Sequence, residues 1–261
     1  MKYYRPKTIN ELYSISEQDF TLYAGGTDLI PRYEGGHKLP GAIVDLKKLA
    51  ELTGIKVVGD NIEIGAGTSI EGLKNNDLIK THFNALYQST LDFGSVQIRN
   101  RATIGGNICN ASPAGDTLPA LAAFNATVLL YHKNGERTLP LDEFIFSPGK
   151  TVLKDGEILQ TVILPLTSSN SMFYKLGLRE AMAISVLNFA IVYNKNELSI
   201  AIGAVAPTII KLSGLENLSV DQILEKVDSA ISPIDDIRAT VNYRRKALQN
   251  MLRFELSKII K

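Results

Sequence analysis

Apolar positions along this chain come in short runs whose spacing changes from region to region. From residue 1 to about 54 the runs alternate between helical and strand periods. T-I-N-E-L-Y-S-I predicts a helix capped by Thr8, and T-L-Y-A a short strand at Thr21–Ala24. D-L-I-P-R-Y then predicts a helix, A-I-V-D-L at 42–46 an apolar strand, and K-K-L-A-E-L-T-G a helix closed by Gly54. Alternation of this kind predicts a small parallel or mixed sheet. The Gly35-Gly36 pair sits in the polar run Y-E-G-G-H-K-L-P and reads as a plain turn. From 55 to about 165 strands are denser. Gly59-Asp60-Asn61 and Asn134-Gly135 each predict a hairpin, Asn84 to Phe93 a helix, and G-E-I-L-Q-T-V-I-L-P a strand ending at Pro165.

The polar stretch T-S-S-N-S near 166–171 marks a boundary. Beyond it, S-M-F-Y-K-L-G-L-R, V-L-N-F-A-I-V-Y-N and E-L-S-I-A-I-G-A-V-A predict three antiparallel strands, with a turn at 194–196. L-S-V-D-Q-I-L-E-K-V predicts a helix, and a longer one begins at Ser232-Pro233, with acids Asp235 and Asp236 in its first turn. Its apolar stripe comprises Ile237, Val241, Ala247 or Leu248, Leu252 and Leu256. Helices on one face of three strands make an α+β layer. The whole chain is therefore expected to be α+β, with a first domain over 1–165 (subdomains about 1–54 and 55–165) and a second over 166–261.

Two glycine stretches interrupt this pattern. The longer runs from Thr103 to Thr117, T-I-G-G-N-I-C-N-A-S-P-A-G-D-T, and leads into the helix D-T-L-P-A-L-A-A-F. Glycine leaves backbone N–H groups unshielded, so an anion can approach the main chain. Thr103, Ser112 and Asn107 add side-chain donors, and Asp116 offers a carboxylate to a ribose hydroxyl or a ring N–H. The second stretch, L-Y-A-G-G-T-D-L from Leu22 to Leu29, repeats the strand, glycine turn and helix start about eighty residues earlier. Neither is G-x-G-x-x-G, and neither ends in Lys-Ser or Lys-Thr. Either alone reads as well as a ligand-free turn. Together they suit a pyrophosphate gripped from two sides, and so a dinucleotide.

Composition narrows the chemistry. A 261-residue chain with 45% hydrophobic and 21% charged residues buries a sizeable core. Net charge +1 gives no footprint for nucleic acid or a membrane surface. No apolar run approaches the roughly 20 residues of a spanning helix, and M-K-Y-Y-R-P-K lacks a signal-peptide core. A cytoplasmic location is expected. Cys109 is the single cysteine and His37, His82 and His132 are scattered, so the chain cannot supply the about four ligands of an iron–sulfur or structural zinc centre. Cys109 reads as a packing residue, with no histidine nearby in sequence to activate it.

A-G-G-T-D-L, Q-I-R-N-R-A-T-I-G-G-N-I-C-N-A-S-P-A-G-D-T and the late D-I-R-A-T-V-N-Y-R-R resemble the FAD-binding (medium) subunit of the xanthine dehydrogenase / carbon monoxide dehydrogenase family of molybdenum hydroxylases. The resemblance covers nearly the whole chain. It implies a two-subdomain FAD-binding fold of the PCMH/vanillyl-alcohol-oxidase type, followed by a C-terminal α+β domain. It implies non-covalent FAD, held by Leu22, Tyr23, Ala24, Gly25, Gly26, Thr27, Asp28, Leu29, Phe93, Thr103, Ile104, Gly105, Gly106, Asn107, Asp116, Leu159 and Lys175. It implies partners, a [2Fe–2S] small subunit and a large subunit with the molybdenum cofactor, and electron transfer through FAD to NAD⁺ or another acceptor.

On their own residues some of these readings stay open. Phe93 is a stacking surface or plain core, Leu159 reads as a buried strand residue, and Lys175 is a cation near the flavin or a solvent-facing lysine. Arg99 and Arg101 face phosphates, a partner or solvent. Met182 and Ala183 stand where related chains often carry acids, which bears on flavin potential and nicotinamide access. No Ser-His-Asp or Cys-His set is present, so the flavin would carry the electron chemistry and no catalytic residue or metal site is expected. The alternatives are a redox-inactive assembly module of the same complex, or a stand-alone flavin oxidoreductase, which would need acid–base groups the sequence does not offer.

Overall fold

The computed structural model describes residues 1–16 and 19–260. The chain opens on three parallel strands, β1 (Lys2–Tyr4), β2 (Phe20–Tyr23) and β3 (Ala42–Asp45), ordered β1-β3-β2. All four residues of central β3 are buried, as a parallel strand covered on both faces requires. Helices α1 (Ile9–Tyr13) and α2 (Leu29–Glu34) connect the strands. Thr8 caps α1, its hydroxyl accepting from the Glu11 amide at 3.1 Å.

The helix expected before Gly54 does not form. Two single 3₁₀ turns, Leu46–Lys48 and Ala50–Leu52, replace it. The Asp45 carboxylate takes the Lys47 amide at 3.0 Å and caps the first turn. Leu49 then runs extended, so that it and Leu52 both drop into the core beneath β3. Side-chain burial overrides a weak helical preference in so short a segment.

A five-stranded antiparallel sheet follows. Its strands are β4 (Ile55–Val58), β5 (Asn61–Gly65), β6 (Thr127–His132), β7 (Gly135–Pro140) and, after the small pair β8 (Ile145–Ser147) and β9 (Lys150–Thr151), β10 (Ile158–Pro165). Both predicted hairpins are present, with Val58 paired to Asn61 and His132 to Gly135. Strand β10 inserts between them, giving the order β4-β5-β10-β6-β7. Between β5 and β6 lie α3 (Ile70–Asn75), α4 (Asp77–His82), α5 (Asn84–Leu91), α6 (Val96–Arg101), α7 (Ile104–Asn110) and α8 (Thr117–Ala123). The short α9 (Leu141–Phe144) follows β7.

The last sheet has four strands, not three: β11 (Asn170–Gly177), β12 (Ser185–Tyr193), β13 (Leu198–Gly203) and β14 (Ile210–Leu212). It is also covered on both faces. Leu187, Phe189 and Ile191 of β12 pack towards α10 (Val220–Ala230) and α11 (Val241–Ile259). Ala190 and Val192, one residue out of phase, join the core that contains α5 and α8. That second contact explains why β12 from Ser185 to Val192 and the whole of α8 are buried. The free edge of β11 is closed by α5: Ser171 Oγ accepts from the Ala85 amide at 3.0 Å, and Gln88 Oε1 from the Phe173 amide at 2.7 Å.

The long helix starts at Val241, eight residues after Pro233, with Thr240 as its cap. Asp236 prevents an earlier start. Its carboxylate takes the amides of Arg238 (2.8 Å) and Ala239 (3.1 Å), closing a turn that competes with the helix. Buried Arg244 then reaches back from α11 to Asp236 at 2.8 Å and to the carbonyls of Val186 and Ala204. Ile237 accordingly leaves the expected stripe and is fully exposed, while Leu248, Leu252 and Leu256 stay in the core.

Candidate cofactor cavity

The parallel sheet and the five-stranded sheet enclose a cavity of about 600 Å³ between them. One wall is the segment that leaves β2, the other the Ala102–Asn110 segment, and β10 with Leu153 closes the apolar end. The two walls touch. A Cβ on Gly25 would overlap the Arg101 carbonyl oxygen and sit 2.9 Å from Ala102 Cα, so only glycine allows this approach. Gly26 has φ +75°, with the Tyr23 ring occupying the place a side chain would need.

The amide groups from Gly25 to Leu29 find no hydrogen-bond acceptor among the described residues. This run of unspent donors, centred on a positive-φ glycine, suits an anion.

The Thr103–Thr117 glycine stretch differs from its expectation. It is not a loop but α7, with Thr103 as N-cap and Gly105 and Gly106 in the first turn. Its leading amides are already taken. Ile104 N donates to Thr68 O (3.0 Å), Gly105 N to Ala66 O (2.8 Å), Gly106 N to Thr103 Oγ1 (3.0 Å) and Asn107 N to Thr103 O (2.9 Å). The glycines serve approach instead. A Cβ on Gly105 would lie 2.6 Å from Ala66 Cβ, whereas one on Gly106 meets only Thr103 Oγ1, at 2.9 Å, and opens on the cavity. The donors expected of two stretches are thus concentrated in Leu22–Leu29.

Of the residues singled out from sequence, Leu22, Ala24 to Leu29, Phe93, Thr103, Gly105, Gly106, Asn107 and Leu159 line the cavity together. Tyr23, Ile104, Asp116 and Lys175 are outside its wall. Tyr23 turns its ring onto Gly26, with the Lys47 ammonium 3.9 Å from the ring centre on the cavity side, and Ile104 is core. Arg32, Lys47, Asn110, Ile98 and Ile158 also line the cavity, unpredicted. For Arg32 a signal existed, its i,i+4 spacing from Asp28.

Residues 1–167 match the family described as the FAD binding domain in molybdopterin dehydrogenase, and residues 172–257 the CO dehydrogenase flavoprotein C-terminal domain. The chain belongs to this flavoprotein family. It is 37% identical over 195 residues to the nicotinate dehydrogenase FAD-subunit of Eubacterium barkeri, covering 71% of this chain and 66% of that relative. It is 30% identical over 257 residues to the xanthine dehydrogenase FAD-binding subunit of Escherichia coli O157:H7, covering 92% and 88%. The solved carbon monoxide dehydrogenase of Hydrogenophaga pseudoflava superposes with a TM-score of 0.89 at 25% identity, covering 97% of this chain and 95% of that one.

The cavity of the flavoprotein fits its family's cofactor on physical grounds. Unpaired amides meet the charge of a pyrophosphate, Gly106 leaves backbone open beside them, and the apolar end suits an aromatic ring. Among the described residues no group of three or more His, Cys, Asp or Glu could hold a metal ion, and no helix is long and apolar enough to cross a membrane. Burial pushes the Cys109 thiol up to about 12, which leaves it an unreactive wall residue as its sequence context suggests.

Arg99 has a structural post. It is buried, pairs with Glu71 at 2.7 Å, and donates to the carbonyls of Phe93 (3.3 Å) and Gly94 (3.2 Å). That fork fixes the backbone from which Phe93 enters the cavity. Arg99→Lys keeps the charge but cannot span Glu71 and both carbonyls, so a loss of about 1–2 kcal/mol in denaturant unfolding is expected. Unchanged stability would remove Arg99 from this role. Arg101 is exposed on α6.

Asp116 and Lys175 form a buried pair at 2.6 Å behind the cavity. The carboxylate also accepts from Ser185 Oγ (2.7 Å) and Asn188 Nδ2 (3.2 Å), and the ammonium donates to Asp92 O at 2.8 Å. Burial pushes the Asp116 carboxyl above its ordinary value, against the opposing pull of Lys175, Ser185 and Asn188. The cluster joins the residues flanking α5 and α8 to the last sheet. Met182 lies in the β11–β12 connection with φ 55° and is exposed.

Proposed function

We propose that this chain is the FAD-binding electron-transfer subunit of a cytoplasmic molybdenum hydroxylase complex, with its FAD-binding domain over 1–165 and its C-terminal domain over 166–261. The observation that carries this reading is the run of unspent amides from Gly25 to Leu29 at the wall of a cavity of about 600 Å³. When bound, FAD supplies the electron chemistry. The chain's own residues position it without a covalent link: the Gly25–Leu29 amides take the charged centre, and Phe93, Leu159 and Leu22 enclose the apolar part. Asp116 and Lys175 belong to this environment through their buried pairing at its back, and Tyr23 and Ile104 through packing.

The relatives named as FAD-subunits and medium chains support a division of labour among subunits. A [2Fe–2S] small subunit and a large subunit carrying the molybdenum cofactor would deliver electrons. NAD⁺ or another acceptor would remove them. The test is FAD titration of the purified full chain, followed by photoreduction and reoxidation by NAD⁺, quinone or O₂. Saturable flavin binding with a reoxidisable flavin is expected. No perturbation of the flavin spectrum would end this reading, and bound flavin that never cycles would favour an assembly role.

A further inference from the structure

Arg32 is the guanidinium of the cavity wall, and its position is unusual for a surface arginine. It projects from α2, directly after the amide run, and its Nη2 donates to Asn110 Oδ1 at 2.6 Å, at the C-terminal end of α7. Its Nε pairs with Asp28 Oδ2 at 2.6 Å. Arg32, Asp28 and Asn110 all line the cavity. One side chain therefore ties the Leu22–Leu29 segment to α7 across the space between them.

A guanidinium carries five N–H donors. The contact to Asn110 takes one hydrogen of Nη2, Asp28 lies beside Nε as an ion pair, and Nη1 makes no hydrogen bond with any described residue. Resting on the FAD reading above, we propose that Arg32 is a pyrophosphate-binding residue that completes the amide run of Gly25–Leu29. Asn110 is the positioning residue that aims it. The chemistry is complementary: backbone amides offer donors without net charge, while a diphosphate carries two negative charges. Lys47, the other cation of the wall, pairs with Asp45 at 3.3 Å much as Arg32 pairs with Asp28, but its ammonium lies over the Tyr23 ring and is a point charge with no second nitrogen to spare. A planar fork reaching two phosphate oxygens is a task for arginine and not for lysine.

The experiment measures FAD affinity of the full-length chain by flavin fluorescence across a series of NaCl concentrations, with circular dichroism as the folding control. Arg32→Met is expected to weaken FAD binding by about 10- to 100-fold at low salt, the value of a charge-assisted hydrogen-bond pair. Its affinity should fall less steeply with salt than that of the parent, because a screened charge pair is gone. Arg32→Lys should keep the parent's salt dependence while losing part of the affinity. Asn110→Ala should weaken binding with the salt dependence unchanged. Parallel salt profiles for the parent and Arg32→Met, or equal affinities, would overturn the proposal while leaving FAD binding itself standing. A parent chain that binds no FAD would instead overturn the functional reading beneath it.

Discussion

Gly25→Ala is expected to strip the flavoprotein of FAD and to lower its melting temperature by about 6–12 °C. The new Cβ would meet the Arg101 carbonyl carbon at 2.8 Å and Ala102 Cα at 2.9 Å, and would overlap the carbonyl oxygen. These are backbone atoms just before the α7 cap, where no side chain can swing aside. Relief requires the two walls to separate, at a cost of about 3 kcal/mol, the upper end for overpacking in a chain of this size. Separation also moves the Gly25–Leu29 amides away from α7, so binding fails with stability. Gly106→Val should behave differently. Its Cβ meets only Thr103 Oγ1 and otherwise enters the cavity, so flavin is lost while the melting temperature moves little. The flavin-to-protein absorbance ratio and a thermal melt separate the two. Full flavin occupancy in Gly106→Val would show that α7 does not face the cofactor. An unshifted melt in Gly25→Ala would contradict the wall contact itself.

That contrast shows what the sequence could and could not convey. Both glycine pairs stand out in the sequence, which presents both as turns with open amides. For Gly25-Gly26 the open amides are present, because strand β2 ends there and no acceptor among the described residues meets them. For Gly105-Gly106 they are not, because Thr103 satisfies the first turn locally and Thr68 and Ala66 supply acceptors from a segment more than thirty residues earlier. Nothing near Gly105 in sequence announces those acceptors. The same division runs through the fold. The two hairpins and the capped helices α1 and α10 rest on neighbouring residues and were legible. The start of α11 was not, because Asp236 reads as a first-turn acid until Arg244 is seen reaching back to it. Nor was the coverage of the last sheet on both faces, which depends on α8 arriving from a segment about seventy residues away in sequence.

Lys175→Met is expected to cost about 3–5 kcal/mol at neutral pH, the loss seen when one partner of a buried ion pair is removed. The reason is what remains. The Asp116 carboxylate would keep Ser185 and Asn188 as donors but lose the one cation it pairs with among the described residues, with its side chain 11% exposed and that of Lys175 6% exposed in the parent. The pH dependence separates an unpaired charge from lost packing. Burial already raises the folded-state Asp116 carboxyl above its unfolded value, in spite of Lys175. Its own contribution to stability is therefore fullest below the unfolded value and is lost as pH rises through the folded one. Without Lys175 the folded value rises further, since the main opposing pull is gone. The deficit of the variant should thus be large at neutral pH and shrink as the pH falls through the carboxylate range, where Asp116 takes up a proton and needs no cation. Lys175→Met combined with Asp116→Asn should recover much of the loss at neutral pH, because the amide leaves no charge to bury. Urea unfolding of the parent and both variants at several pH values measures this directly. A deficit that stays constant with pH, and that the double variant does not repair, would mean that Lys175 stabilises the junction by packing alone.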